Sequence, residues 1–136
     1  MYIVIIGCGR TGSRLAGVLS SKEHDVVVVD KNKENFKDLS TEFSGFTVEG
    51  DGLEYDILKN AGITKADILV LTTGDDNINY MITQISRKIY DVPSILVRII
   101  EPKKEKMFHD ISRVTTLSPI SLLVDSFINK IERIEG

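Results

Sequence analysis

Cysteine and excess positive charge are both scarce in this chain, and each shortage excludes something. A single cysteine, Cys8, leaves no partner for an internal disulfide and suits a reducing compartment. His24 and His109 are isolated, with no H-x-x-x-H or C-x-x-C spacing to ligate a metal. No Ser-His-Asp or Cys-His context is present for nucleophilic catalysis. Lysine and arginine number 17 against 20 acids, a net charge of −3, so no basic field exists to hold nucleic acid. No run of lysine or arginine marks a polybasic membrane anchor. No apolar stretch approaches the ~18 residues that span a bilayer. The amino terminus runs straight into a strand, without a basic n-region or cleavage pattern. A soluble, cytoplasmic protein is expected.

What is present is a strand, a glycine turn, a helix and a second strand ending in an acid. Ile3-Val4-Ile5-Ile6 is the first strand. Gly7-Cys8-Gly9-Arg10-Thr11-Gly12 is a G-x-G-x-x-G turn, and Val26 to Val29 is the second strand, closed by Asp30. This is the context that a dinucleotide-binding fingerprint requires. Gly7 allows a tight exit from the strand. Gly9 lets a pyrophosphate approach the backbone. Gly12 lets the helix pack on the sheet. The helix start offers free N–H groups and a positive dipole end to phosphates. Asp30 stands 18 residues past Gly12, near the ~20 expected of an acid that binds a ribose hydroxyl. Its charge disfavours a 2′-phosphate, so NAD or an unphosphorylated adenosine ribose is preferred over NADP. Lys31 and Lys33 soften that preference.

At 136 residues the chain is expected to be one domain, 1–136, with a proper core. Strands and helices alternate to the end, which predicts a parallel sheet covered on both faces. A helix is predicted from Asn32 to about Phe43, a third strand at Phe46 to Glu49, and a helix over Leu53 to Ala61. The fourth strand is Asp67 to Leu71. A long helix capped by Asp75 or Asp76 follows, then a fifth strand from Ser94 to Ile99. Pro102 opens a short helix to about His109, Arg113 to Thr115 is a sixth strand, and Ser118-Pro119 caps a last helix to about Ile134. The expected fold is a Rossmann-like, doubly wound, six-stranded α/β sheet of order 3-2-1-4-5-6. Its cleft opens where the order reverses, between the glycine loop and the Thr72-Thr73-Gly74 loop.

Several residues carry two readings. Arg10, at a helix start, opposes the dipole unless an anion is present, so it is a phosphate ligand or an exposed arginine. Asp51 accepts from an adenine amino group or merely shapes a turn. Arg98, in an apolar strand, holds a phosphate or carboxylate in the cleft, or pairs with Glu101 or Asp75. The last helix carries Leu123, Val124, Phe127, Ile128, Ile131 and Ile134. That stripe covers its own sheet or meets a second subunit.

Taken together these residues resemble the N-terminal nucleotide-binding domain of bacterial Trk and Ktr potassium-uptake regulators, the RCK N or TrkA-N domain. The resemblance rests on Ile5 to Gly12, Val29-Asp30, Gly50-Asp51, Ala61-Gly62-Ile63 with Ala66-Asp67, Thr73-Gly74-Asp75-Asp76-Asn77 with Asn79, Arg98 and Ser118-Pro119. It implies a regulatory subunit rather than an enzyme. Such a subunit binds NAD(H) or an adenine nucleotide (ATP, ADP or AMP) on the cytoplasmic, inner face of the membrane, beside an integral potassium channel or transporter. It implies homodimers that assemble into a larger ring, with the last helix, about 118–134, crossing between subunits. By the resemblance Arg10 contacts phosphate, Asp30 the ribose and Asp51 the adenosine side. The ligand-binding set it implies is Gly7, Cys8, Gly9, Arg10, Thr11, Gly12, Asp30, Lys31, Asp51, Gly52, Leu53, Thr72, Thr73, Gly74, Asn79 and Arg98. Gly52-Leu53 stand where the family often has Ala-Thr. The ligand-sensing C-terminal domain common in the family is missing, which implies a stand-alone form, a truncation, or a separate chain that carries it. The alternative is an NAD(P)-dependent oxidoreductase fragment without its substrate domain. A third reading is a structural interaction domain with a vestigial cleft.

Overall fold

A computed structural model describes all of residues 1–136. Six parallel strands form one sheet: β1 (Tyr2–Ile6), β2 (Asp25–Asp30), β3 (Phe46–Glu49), β4 (Ile68–Leu71), β5 (Ser94–Arg98) and β6 (Val114–Leu117). Their order is β3-β2-β1-β4-β5-β6, as predicted. The four α-helices are α1 (Arg10–Ser21), α2 (Tyr55–Asn60), α3 (Asp76–Lys88) and α4 (Pro119–Glu135).

The unbroken apolar strands have a simple cause. Alternate side chains of a strand point to opposite faces, so a strand covered on both sides is apolar throughout. In β1, Val4 and Ile6 join one core with Leu58 of α2 and Ile82 of α3. Ile3 and Ile5 join a second core with Ala16 of α1. Complete burial of a side chain such as Ile5 contributes about 1.5–3 kcal/mol. Register then aligns the strand ends: Ile6 lies beside Val29 and Leu71, so the glycine turn emerges between the loops that follow β2 and β4.

Three segments differ from the sequence expectation. The predicted helix from Asn32 to Phe43 is a short 3-10 helix, Lys33–Asp38. Asn32 caps it as expected, accepting from Glu34 N at 3.0 Å. Asn35 explains why it stays short. Its side chain donates to Asp30 and its carbonyl accepts from the Cys8 thiol, and these tertiary bonds compete with an α-helical ladder. The short helix opened by Pro102 is present as expected, as a 3-10 helix, Pro102–Phe108. The helix expected from Leu53 begins at Tyr55, because Leu53 N is held by Asp51 in a side-chain turn at 2.9 Å. The sixth strand starts at Val114 and runs to Leu117, since Arg113 occupies the left-handed region at φ 59°.

α4 leaves the body of the fold. None of its residues is buried, and Leu123, Phe127 and Ile131 are each half or more exposed. No helix is long and apolar enough to cross a membrane.

Candidate functional site

The carboxyl ends of β1, β2 and β4 enclose a cavity of about 520 Å³. Its near wall is the glycine turn. Gly7 has φ +110°, and a Cβ there would lie 2.7 Å from the Thr72 and Thr73 backbone. A Cβ on Gly12 would stand 1.9 Å from Gly7 O. Both glycines are therefore required by packing. Gly9 differs: a Cβ there meets nothing within 4 Å. Its bare backbone faces open space in the cavity wall, where a phosphate group has room to approach.

Asp30 closes β2 and is held from three directions. Oδ2 accepts from Cys8 N at 2.8 Å; Oδ1 accepts from Asn32 N at 2.8 Å and Asn35 Nδ2 at 3.0 Å. A carboxylate offers about four lone-pair sites, so one remains for a ligand hydroxyl. Asn35 also lines the cavity, and sequence reasoning missed it. The only signal was an amide side chain five residues past the acid, in a segment read as helix.

Across the cavity from the turn, Asp51 follows β3. Its Oδ1 accepts from Leu53 N, and its Oδ2 lies 3.7 Å from Lys31 Nζ. Gly52 backs onto an apolar floor, where a Cβ would approach Ile6 at 2.9 Å and Ile82 at 3.1 Å. Val29 and Ile78 complete that floor, which suits the face of a planar ring.

Arg98 lies at the junction of the two halves. It pairs with neither Glu101 nor Asp75. Its Nη2 donates to Thr72 O at 2.6 Å and Thr73 O at 3.1 Å, and its Nη1 donates to Thr11 Oγ1 at 3.2 Å. Nε is buried without a partner. The guanidinium thus braces the glycine turn against the β4 loop and leaves a cation without a carboxylate in the cavity wall.

Of the other residues singled out by sequence, Lys31, Thr72, Thr73 and Gly74 line the cavity. Arg10 is exposed beside it, as the first residue of α1. Cys8, Gly12 and Asn79 are buried and do not line it; neither do Thr11, which is exposed, and Leu53, which is half-buried. Asn79 is fully buried and bonds Thr73, donating to its carbonyl at 3.3 Å, and it also donates to Arg98 O at 3.4 Å. Thr72 Oγ1 donates to Gly7 O at 2.8 Å, so the two loops are tied directly. Asp75 caps α3, and its neighbour Asp76 is buried with its carboxylate on Ile100 N and Glu101 N at 2.8 and 2.9 Å. Burial, then the Asp30 and Asp38 charges, pushes the Cys8 thiol up to about 11. It stays protonated at neutral pH and fills space rather than acting as a nucleophile.

The family profile of the TrkA-N domain matches residues 3–119, and so includes every wall of this cavity. The chain belongs to the TrkA-N domain family. Among TrkA-N relatives it is 34% identical over 116 residues to a Trk system potassium uptake protein TrkA homolog of Pyrococcus horikoshii, covering 85% of this chain and 51% of that protein. It is 30% identical over 131 residues to the Trk system potassium uptake protein TrkA of Streptomyces coelicolor, covering 96% of this chain and 58% of that protein. The chain therefore spans about half the length of the curated relatives it matches. Among solved structures, the GsuK channel bound to NAD matches with a TM-score of 0.81 at 25% identity, covering 98% of this chain and 24% of that one.

Proposed function

We propose that residues 1–136 form a single nucleotide-binding regulatory domain of a potassium transport system, with NAD(H) or an adenine nucleotide as its ligand. One observation carries the ligand reading. Gly9 presents open backbone on one side of the cavity, and Asp30, fixed by three N–H donors, stands at the end of the neighbouring strand. That pair suits a pyrophosphate and a ribose hydroxyl at once. The NAD-bound GsuK channel and the TrkA relatives support the same reading.

In this reading the domain regulates rather than catalyses. It works at the inner face of the membrane beside an integral channel or transporter subunit, and a sensing domain on another chain or segment completes it. A ligand shifts such a domain only through unequal affinity for two arrangements. α4 supplies the route between copies. Its apolar side chains are exposed along a 17-residue helix, about 25 Å long, and a second copy is the proposed cover. Calorimetric titration with NAD, NADH, ATP, ADP and AMP tests the ligand. Micromolar binding of one or more is expected; no binding below millimolar defeats the proposal.

A further inference from the structure

The charges around the cavity are unevenly satisfied. On the β1–β2–β3 side, Asp30 is held by three N–H groups and Asp51 by Lys31. At the junction, Arg98 reaches from Thr11 to the Thr72 and Thr73 carbonyls. Beyond it, on the β4 side, the cavity wall carries one carboxylate, Asp75, which is exposed and takes part in no salt bridge. Its Oδ1 accepts from Asn77 N at 2.9 Å and Ile78 N at 3.1 Å. The positive end of α3 is therefore already capped by an anion, and it offers little to a second one. Beside Asp75, Gly74 leaves open space where a Cβ would stand, and Ile78 supplies an apolar surface.

A dinucleotide lies across the strand ends, with adenosine over the first half of the sheet and its second nucleotide over the β4 half. Resting on the nucleotide-binding reading above, we propose that Asp75 sets the charge preference of the second half. It favours the cationic ring of an oxidised nicotinamide dinucleotide over the neutral reduced ring, and it disfavours the terminal phosphate of a nucleoside triphosphate. One Coulomb term does both: a carboxylate attracts a ring carrying +1 and repels phosphate oxygens. The domain then reads the oxidation state of its ligand through one side chain. Arg98 forms no ion pair with Asp75, and its two terminal nitrogens are committed to Thr11, Thr72 and Thr73, which holds the guanidinium against the glycine turn.

The test compares the full chain with Asp75→Asn, using NAD+, NADH, ADP and ATP as titrants at low and high ionic strength. Asparagine caps a helix as well as aspartate does, so the variant keeps its fold, and thermal melting verifies this. The wild-type chain is expected to bind NAD+ about tenfold more tightly than NADH at low ionic strength, with the ratio shrinking as salt is added. In the variant the ratio should fall to about one and ATP should bind more tightly, while ADP changes by less than about twofold. A wild-type ratio near one, or a ratio that the substitution leaves unchanged, overturns the role of Asp75 and leaves the nucleotide reading standing. Failure of all four titrants to bind the wild-type chain overturns both.

Discussion

Asp30 Oδ2 accepts a hydrogen bond from Cys8 N at 2.8 Å, which fastens the end of β2 to the middle of the glycine turn. The acid thus shapes the glycine turn as well as lining the cavity. Asp30→Ala strands three N–H donors, those of Cys8, Asn32 and Asn35. Stability in urea is expected to fall by about 2–3 kcal/mol, and nucleotide affinity with it. A variant as stable as the parent would remove Asp30 from the framework of the loop.

Gly9 and Gly12 separate ligand room from packing. Gly12→Ala puts a Cβ 1.9 Å from Gly7 O, a clash with backbone that no rotamer relieves. A loss of about 3 kcal/mol or more is expected, seen as failure to fold or a sharply lower melting temperature. Gly9→Ala puts its Cβ into open space and should change stability by no more than about 0.5 kcal/mol. Its effect should appear instead as weaker nucleotide binding by calorimetry.

Arg98 joins the two loops through three hydrogen bonds, and no lysine reproduces that geometry. Arg98→Lys and Arg98→Met should both weaken nucleotide binding and lower stability by about 1–3 kcal/mol. Hydrogen exchange should locate the loosening at the glycine turn and the Thr72 loop. Full rescue by lysine would mean that charge alone suffices.

Asp91 links α3 to the start of β6. A hydrogen bond from Arg87, then one from Arg113, hold its carboxyl below the ordinary value of 3.8. Its folded value is depressed, so its contribution is present above the unfolded value and is lost as pH falls through the folded one. Acid titration of stability below about pH 4 should therefore be shallower for Asp91→Asn than for the parent. Asn tolerates the left-handed backbone at φ 49°, which keeps the comparison clean. Equal acid slopes would sever the link between this cluster and stability.

The exposed stripe of α4 predicts self-association. Phe127→Glu with Ile131→Glu should convert a dimer to a monomer in sedimentation velocity, with the fold retained by circular dichroism, since neither side chain is buried within the chain. A monomeric parent protein, or a variant that remains dimeric, would point away from this helix.

Much of this was legible in the sequence, through signals that act over short distances. Unbroken apolar strands, glycines that cap turns and acids that start helices are local causes, so the six strands, the Gly7–Gly12 turn and a cap at Asp75 or Asp76 could be read directly. The segment after Asn32 could not. Its α-helical pattern gives way to Asp30 and Cys8, which are near it only in the folded chain. Arg98 is a similar case. Both sequence readings gave it an anionic partner, and folding placed it on three neutral oxygens, those of Thr72, Thr73 and Thr11.

By itself the sequence determined a doubly wound α/β sheet with a glycine turn after the first strand and an acid at the end of the second, because periodicity and turn chemistry are properties of neighbouring residues. Only the tertiary structure decided which side chains line the cavity and which brace it from behind. Asn79 was buried, Asn35 was drawn into the wall, and Asp75 was left exposed there without an ion pair. Those outcomes depend on distances across the sheet between residues far apart in the chain, which no local pattern encodes.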